Sequence, residues 1–195
     1  MDKKLFEGKW ISVREKDGWE YVSRKDDAIV VSCIAYTPDN NRLILVKQFR
    51  KPLNKYVIEF PAGLVDKGED IEKAAIRELE EETGYKGIIE EVVGPMAKSA
   101  GLSNETLYTT IIRCYDEGEQ NLQDEEDIKV LEVNINDGNE IGIFIEDQEE
   151  KGDVIFDSNV RLYLQQLMWN YYRDENEDRY EWLNILTPKT LYDIM

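Results

Sequence analysis

The sequence predicts an α+β domain, a mixed β-sheet layered between helices, and three observations carry that expectation. Short runs rich in Val, Ile, Tyr and Trp recur through the first two-thirds of the chain, separated by Gly, Pro, Asn and Asp. One helical pattern, residues 69–83, interrupts them early. A second runs from Ser158 to Tyr172 and carries Val160, Leu164, Leu167, Met168 and Tyr171 as an apolar stripe at helical spacing.

The first 25 residues read as strand pieces, "GKWISVRE" and "WEYVSR", joined by a turn at Lys16-Asp17-Gly18. An Asp-Gly step between aromatic and β-branched runs is a hairpin signal. "AIVVSCIAYT" (28–37) is a continuous apolar run, as in a buried strand. "PDNN" (38–41) turns into "RLILVKQFR" (42–50), and "KYVIEFPAG" (55–63) is a further strand ended by Pro61. Beyond the first helix, "IIEEVVGPM" and "TLYTTIIRCY" are strands, "DEGEQNLQDEED" (116–127) is an acidic loop and "IKVLEVNI" (128–135) is a strand. Residues 138–150 form a short helix, and Ser158 is placed to cap the last one. A polar link, "RDENEDRYEW", leads into the C-terminal segment, whose residues 174–195 suggest no function.

Composition narrows the chemistry. The 195 residues suit one ordinary domain with a core of its own. No apolar run approaches the ~20 residues of a membrane helix, and "MDKKLFEGKW" lacks the apolar centre of a signal peptide. A soluble cytoplasmic protein is the expectation. A net charge of −18 argues against nucleic acid and against anionic lipid as partners. Cys33 and Cys114 lie in apolar contexts and read as buried thiols rather than a disulfide. The chain has no histidine, which removes His-based triads, His proton transfer and His-ligated zinc. Any metal must be held by oxygen, which points to Mg²⁺, Mn²⁺ or Ca²⁺, and any general base is a carboxylate.

Within "AAIRELEEETGY" (74–85), four glutamates fall in five positions: Glu78, Glu80, Glu81 and Glu82. Like charges three or four apart on a helix repel. At about 100° per residue, with Glu78 at 0°, Ile71 lies near 20°, Ala74 near −40° and Ala75 near 60°. Glu82 lies near 40° and Glu81 near −60°, whereas Lys73 and Glu80 lie at roughly 200–220°. Glu80 is therefore the solvated one. Glu78, Glu81 and Glu82 share the apolar face, where carboxylates are costly unless a cation compensates them. Divalent metal ions are the economical answer.

The flanks complete a pattern: Gly63-x5-Glu69-x7-Arg77-Glu78-Leu79-x-Glu81-Glu82-x-Gly84-Tyr85. Gly84 suits the position that stops the helix, and Gly63 lets the backbone turn and approach a ligand. The string resembles the Nudix box, G-x5-E-x7-R-E-U-x-E-E-x-G-U with U apolar, and departs from it only at Tyr85. The resemblance implies a Nudix fold, a mixed sheet between helices with a loop–helix–loop that holds Mg²⁺ or Mn²⁺. It implies hydrolysis of nucleoside diphosphates linked to a further group. By carry-over Glu78 and Glu82 are metal ligands with the carbonyl of Ala62, Glu81 is a ligand or an orienter, and Glu69 and Arg77 form an ion pair fixing the loop against the helix. No serine or cysteine is placed for a covalent intermediate.

Further segments resemble the ADP-ribose pyrophosphatase subfamily: "GKW" (8–10), "WEYVSR" (19–24), "VKQFRKPL" (46–53), "IEFPAGLVD" (58–66) and "GLSNE" (101–105). This implies a small N-terminal β subdomain, residues 1–27, swapped in a homodimer, and a Nudix domain over 28–195. It implies Trp10 and Trp19 sandwiching an adenine, Arg24 and Arg50 on phosphate or ribose, and Glu59 lining the site. In relatives a loop acid supplies the base or an extra metal ligand. The register of "LQDEEDIKV" favours Glu126 here, with Asp124 and Glu125 behind it. The substrate expectation is ADP-ribose, cleaved to AMP and ribose 5-phosphate. Another nucleotide sugar, GDP-mannose or UDP-glucose, is the enzymatic alternative, and a non-catalytic ADP-ribose sensor is a third reading.

Overall fold

The Asp17-Gly18 step gives the backbone what a two-residue hairpin needs, because both residues take positive φ, 53° and 84°. In a computed structural model of the chain, residues 2–25, 28–122 and 127–174 are described. The hairpin joins β2 (Ile11–Lys16) to β3 (Trp19–Arg24), and a strand not expected from sequence, β1 (Asp2–Glu7), pairs with β2. These three form a separate antiparallel sheet.

The main sheet is mixed. It contains β4 (Val30–Thr37), β5 (Arg42–Arg50), β6 (Lys55–Glu59), β7 (Ala62–Leu64), β8 (Tyr85–Ala97), β9 (Thr106–Glu117), β10 (Ile128–Asn134) and β11 (Val154–Phe156). Strand β5 pairs antiparallel with β4, β6 and β10, while β4 pairs parallel with β9 and antiparallel with β7. β11 is a second unexpected strand, three residues pairing parallel with β6.

Among the described residues, three helices cover the two faces. α1 (Ile71–Thr83) lays Ala74, Ala75 and Leu79 against Val31, Cys33, Ala35, Ile44, Ile112 and Cys114. α2 (Gly138–Glu149) and α3 (Ser158–Asp174) lay Ile141, Ile145, Val160, Leu164 and Leu167 against Leu43, Leu45, Ile58, Phe60 and Val133 on the other face. Alternation along β5 assigns Leu43 and Leu45 to one core and Ile44 to the other, which is why the strand reads as unbroken apolar sequence. Both cysteines are free and buried.

The structure corrects several boundaries. The expected strand 55–63 is two strands separated by Phe60 and Pro61. The first helix begins at Ile71, not at 69, because the Asp70 carboxylate accepts from the Glu72 N–H and caps it. Asp157, not Ser158, does the same for α3, accepting from the Asn159 N–H at 2.9 Å. The strand around 88–96 runs from Tyr85 to Ala97. No helix among the described residues is long and apolar enough to cross a membrane.

The phase of α3 is testable. Leu164 is fully buried while Leu162 is 69% exposed. Leu164→Ala should cost about 2–5 kcal/mol in urea unfolding, and Leu162→Ala within about 0.5 kcal/mol of zero.

Candidate active site

The site forms where β7 crosses the helix that follows it. β7 is locked to β4 by the pairs Ser32–Ala62, Val31–Gly63 and Val30–Leu64. α1 lies over this junction and presents Glu78 and Glu82 to it. The Glu82 carboxylate is 6% exposed and accepts from the Ala62 N–H at 3.0 Å. The Glu78 carboxyl sits directly over Gly63: a Cβ built there would overlap its Cδ and both oxygens. Gly63 thus serves close approach within the protein, and its φ is not left-handed. The four glutamates divide in exposure as the helical phase predicts. Glu80 is exposed, Glu81 one-third exposed, Glu78 mostly covered and Glu82 buried.

Arg77 ties the acids together. Its Nε and Nη2 donate to the two oxygens of Glu69 at 3.0 and 2.8 Å. Nη1 donates to Glu78 at 2.7 Å and Glu81 at 3.3 Å, and Nη2 also donates to the Leu64 carbonyl at 3.0 Å. A forked donor can serve three carboxylates and a backbone oxygen at once, where a lysine could not. Glu69 also accepts from the Asp66 N–H at 3.0 Å, which fixes the turn between β7 and α1. The Arg77 hydrogen bonds, aided by that N–H, lower the Glu69 pKa from 4.5 to about 2, and Glu69 raises that of Arg77.

The last turn of α1 has no basic residue, yet its carbonyls are met. Gly84, with φ 78°, donates to the Glu80 carbonyl at 2.9 Å. Asn121 N–H donates to the Glu81 carbonyl at 2.9 Å, and Gln120 Nε2 to the Glu82 carbonyl at 2.5 Å. Gly118 N–H reaches the Gly84 carbonyl at 2.8 Å. Nothing in the acidic loop's sequence marked these contacts, because they depend on where β9 ends. A cleft of about 660 Å³ opens beside Arg77 and Glu81 and is lined also by Lys73, Glu119 and Asn121. Tyr85, the departure from the box, is buried and donates its hydroxyl to Glu132 at 2.9 Å.

The other expected residues fall elsewhere. Arg50 donates to Glu59 at 2.7 Å, so these two are brought together. Arg24 pairs with Glu105, while β3 docks on the 99–105 loop through Val22 N–H to the Leu102 carbonyl at 2.8 Å. Trp10 and Trp19 are 69% and 63% exposed and lie apart in the chain's fold. Trp19 faces Lys16 at the turn, and Trp10 lies beside Lys25 at the far end of the same hairpin. Six residues of strand, about 20 Å, separate them. Glu126, Asp124 and Glu125 lie outside the described residues.

The donor set is all oxygen and suits Mg²⁺ or Mn²⁺ rather than zinc. Glu78, Glu82 and the Ala62 backbone adjoin, with Glu81 at the cleft edge. Among the described residues, no three acids stand already gathered as a metal-ligating group. Arg77 draws Glu78 and Glu81 to itself.

The strand–turn–helix carrying these acids, set in a mixed sheet between helices, defines the class. The NUDIX domain family matches residues 27–157, and the chain belongs to that family. An ADP-sugar pyrophosphatase of Mus musculus is 38% identical over 124 residues, covering 55% of this chain and 57% of that protein. An ADP-ribose pyrophosphatase of Bacillus subtilis is 38% identical over 109 residues, covering 55% and 58%. The chain spans under three-fifths of the length of these curated relatives. A solved ADP compounds hydrolase shares the fold, with a TM-score of 0.59 over 90% of this chain and 94% of that one at 18% identity.

The Glu69–Arg77 pair gives a pH prediction. A carboxylate whose pKa falls on folding stabilises above its unfolded value and loses that contribution as pH drops through the folded one. Glu69→Gln should therefore be less stable than wild type at pH 7. The gap should narrow below about pH 4.5 and close towards about pH 2, read by urea unfolding across pH.

Proposed function

We propose that the chain is a divalent-cation-dependent hydrolase that splits the diphosphate of ADP-ribose into AMP and ribose 5-phosphate. The observation that carries this reading is that Glu78 and Glu82, from one helix face, meet the Ala62–Gly63 backbone, with Glu81 at the cleft edge beside them. ADP-ribose is preferred because the relatives named above act on ADP-ribose and ADP-sugars, and because exposed indoles suit a stacked purine.

Each residue has a part in the reaction. Glu78, Glu82 and the Ala62 carbonyl would hold the cation, with Glu81 completing or orienting the set. A bound Mg²⁺ would neutralise charge on the diphosphate and favour ionisation of the attacking water. Arg77 keeps the ligand-bearing turn fixed through Glu69 and Leu64. Arg24 and Arg50 reach substrate phosphate or ribose by exchanging the carboxylates that hold them, Glu105 and Glu59, for the ligand. Glu126 accepts the proton from the attacking water. Water adds to one phosphorus, and the other phosphate leaves as a monoester.

Because Trp10 and Trp19 are about 20 Å apart on one hairpin, a base sandwiched by both takes one from each of two protomers. The proposal is accordingly a homodimer, acting on small nucleotides in the cytoplasm. The mouse relative's name, an ADP-sugar pyrophosphatase, supports a second reading in which other ADP-sugars are also cleaved.

Purified protein with Mg²⁺ should turn over ADP-ribose faster than GDP-mannose or UDP-glucose, with AMP and ribose 5-phosphate resolved by chromatography. Cleavage of either competitor about tenfold better than ADP-ribose would refute the substrate assignment. Glu82→Gln should lower kcat by at least about 100-fold, roughly 2.7 kcal/mol in the barrier, with an unchanged circular dichroism spectrum. Full activity in that variant would sink the metal-site assignment.

A further inference from the structure

We infer that Gln120 is a positioning residue for the carboxylates of α1, acting from outside the sequence motif that carries them. The inference rests on the proposed cation-dependent reading of the site. Gln120 uses one primary amide to hold two carbonyls: Nε2 lies 2.5 Å from the Glu82 oxygen and 3.2 Å from the Ile128 oxygen. A primary amide has two N–H donors, so one serves each. The contact joins the end of the helix bearing Glu81 and Glu82 to the first residue of β10, which is itself fixed against Gln48 of β5.

The neighbouring residue repeats the action. Asn121 N–H holds the carbonyl of Glu81. Consecutive residues, 120 and 121, thus hold the main-chain oxygens of consecutive acids, 81 and 82. Two effects follow. Rotation of the last helical turn, which would swing both carboxylates, is resisted at the backbone. The electronegative end of the helix, which would add to the repulsion among Glu78, Glu81 and Glu82, meets two donors where no lysine or arginine stands. Glu119 and Asn121, on either side of Gln120, also wall the cleft beside Arg77 and Glu81. A displaced 118–121 segment would therefore change the cleft beside Arg77 and Glu81 as well as the backbone that carries the acids.

Gln120→Glu is the sharpest test. It keeps the size of the side chain but sets a carboxylate against the two carbonyl oxygens. Gln120 is exposed, so packing is little altered. Mn²⁺ binding, measured calorimetrically without substrate, should weaken about tenfold, the lower end of what partners orienting metal ligands contribute. KM for ADP-ribose should stay within twofold while kcat falls about tenfold, and the melting temperature should change by no more than a few degrees. Gln120→Ala should show the same pattern more weakly, since it removes donors without adding charge. Mn²⁺ affinity within twofold of wild type in Gln120→Glu overturns the inference, as does a loss confined to melting temperature. Wild-type protein that binds no Mn²⁺ refutes the cation-dependent reading instead, which keeps the two failures distinct.

Discussion

The arrangement depends on one guanidinium. Arg77 joins Glu69 before the helix, Glu78 and Glu81 on it and the Leu64 carbonyl at the end of β7. Without it, Glu69, Glu78 and Glu81 would lose the positive charge that offsets their repulsion across the strand–helix turn. Breaking a covered ion pair from one side costs about 3–5 kcal/mol, because the remaining charges are left uncompensated. Arg77 is partly exposed, so screening reduces that figure here. Its larger consequence is geometric: it sets the angle at which β7 passes into α1, and hence where Glu78 meets Gly63.

Two glycines let that angle exist. At Gly63 the Glu78 carboxyl occupies the space of the missing side chain. At Gly84 the left-handed conformation ends the helix, and the backbone of Gly118 packs where a Cβ would be. One glycine brings the first acid against the strand, and the other lets the chain after β9 close under the helix end. The sheet supplies the rest. β4 holds β7 on one side of the junction, and β5 holds β10 on the other, so the functional turn is clamped between long-range pairs.

What was legible in the sequence is what is encoded locally. The helical phase of 71–83 separated Glu80 from the other three glutamates because side-chain direction follows from backbone period alone. The Asp17-Gly18 hairpin and the apolar stripe of α3 were readable for the same reason. β1 and β11 were not, since "DKKLFE" is fully exposed and "VIF" is three residues long; each is a strand because another strand is beside it. The start of α1 and the cap of α3 differ from expectation by one or two residues, where Asp70 and Asp157 compete with plausible neighbours as caps. The distance between Trp10 and Trp19 was not legible either, because resemblance supplies residue types but not the roughly 20 Å of strand between them. The contacts of Gln120 were invisible because an acidic, polar loop gives no sign of which member turns back.

On the proposed reading, Glu78, Glu81 and Glu82 serve as a cation site. Thermal unfolding over a MgCl₂ titration, at ionic strength matched with NaCl, tests it most directly. A cation that binds only the folded state raises its stability by mass action. The melting temperature should climb with Mg²⁺ in the wild type and stay flat in the Glu78→Gln/Glu82→Gln double variant. A wild-type curve indifferent to Mg²⁺, or an equal rise in the double variant, would contradict it.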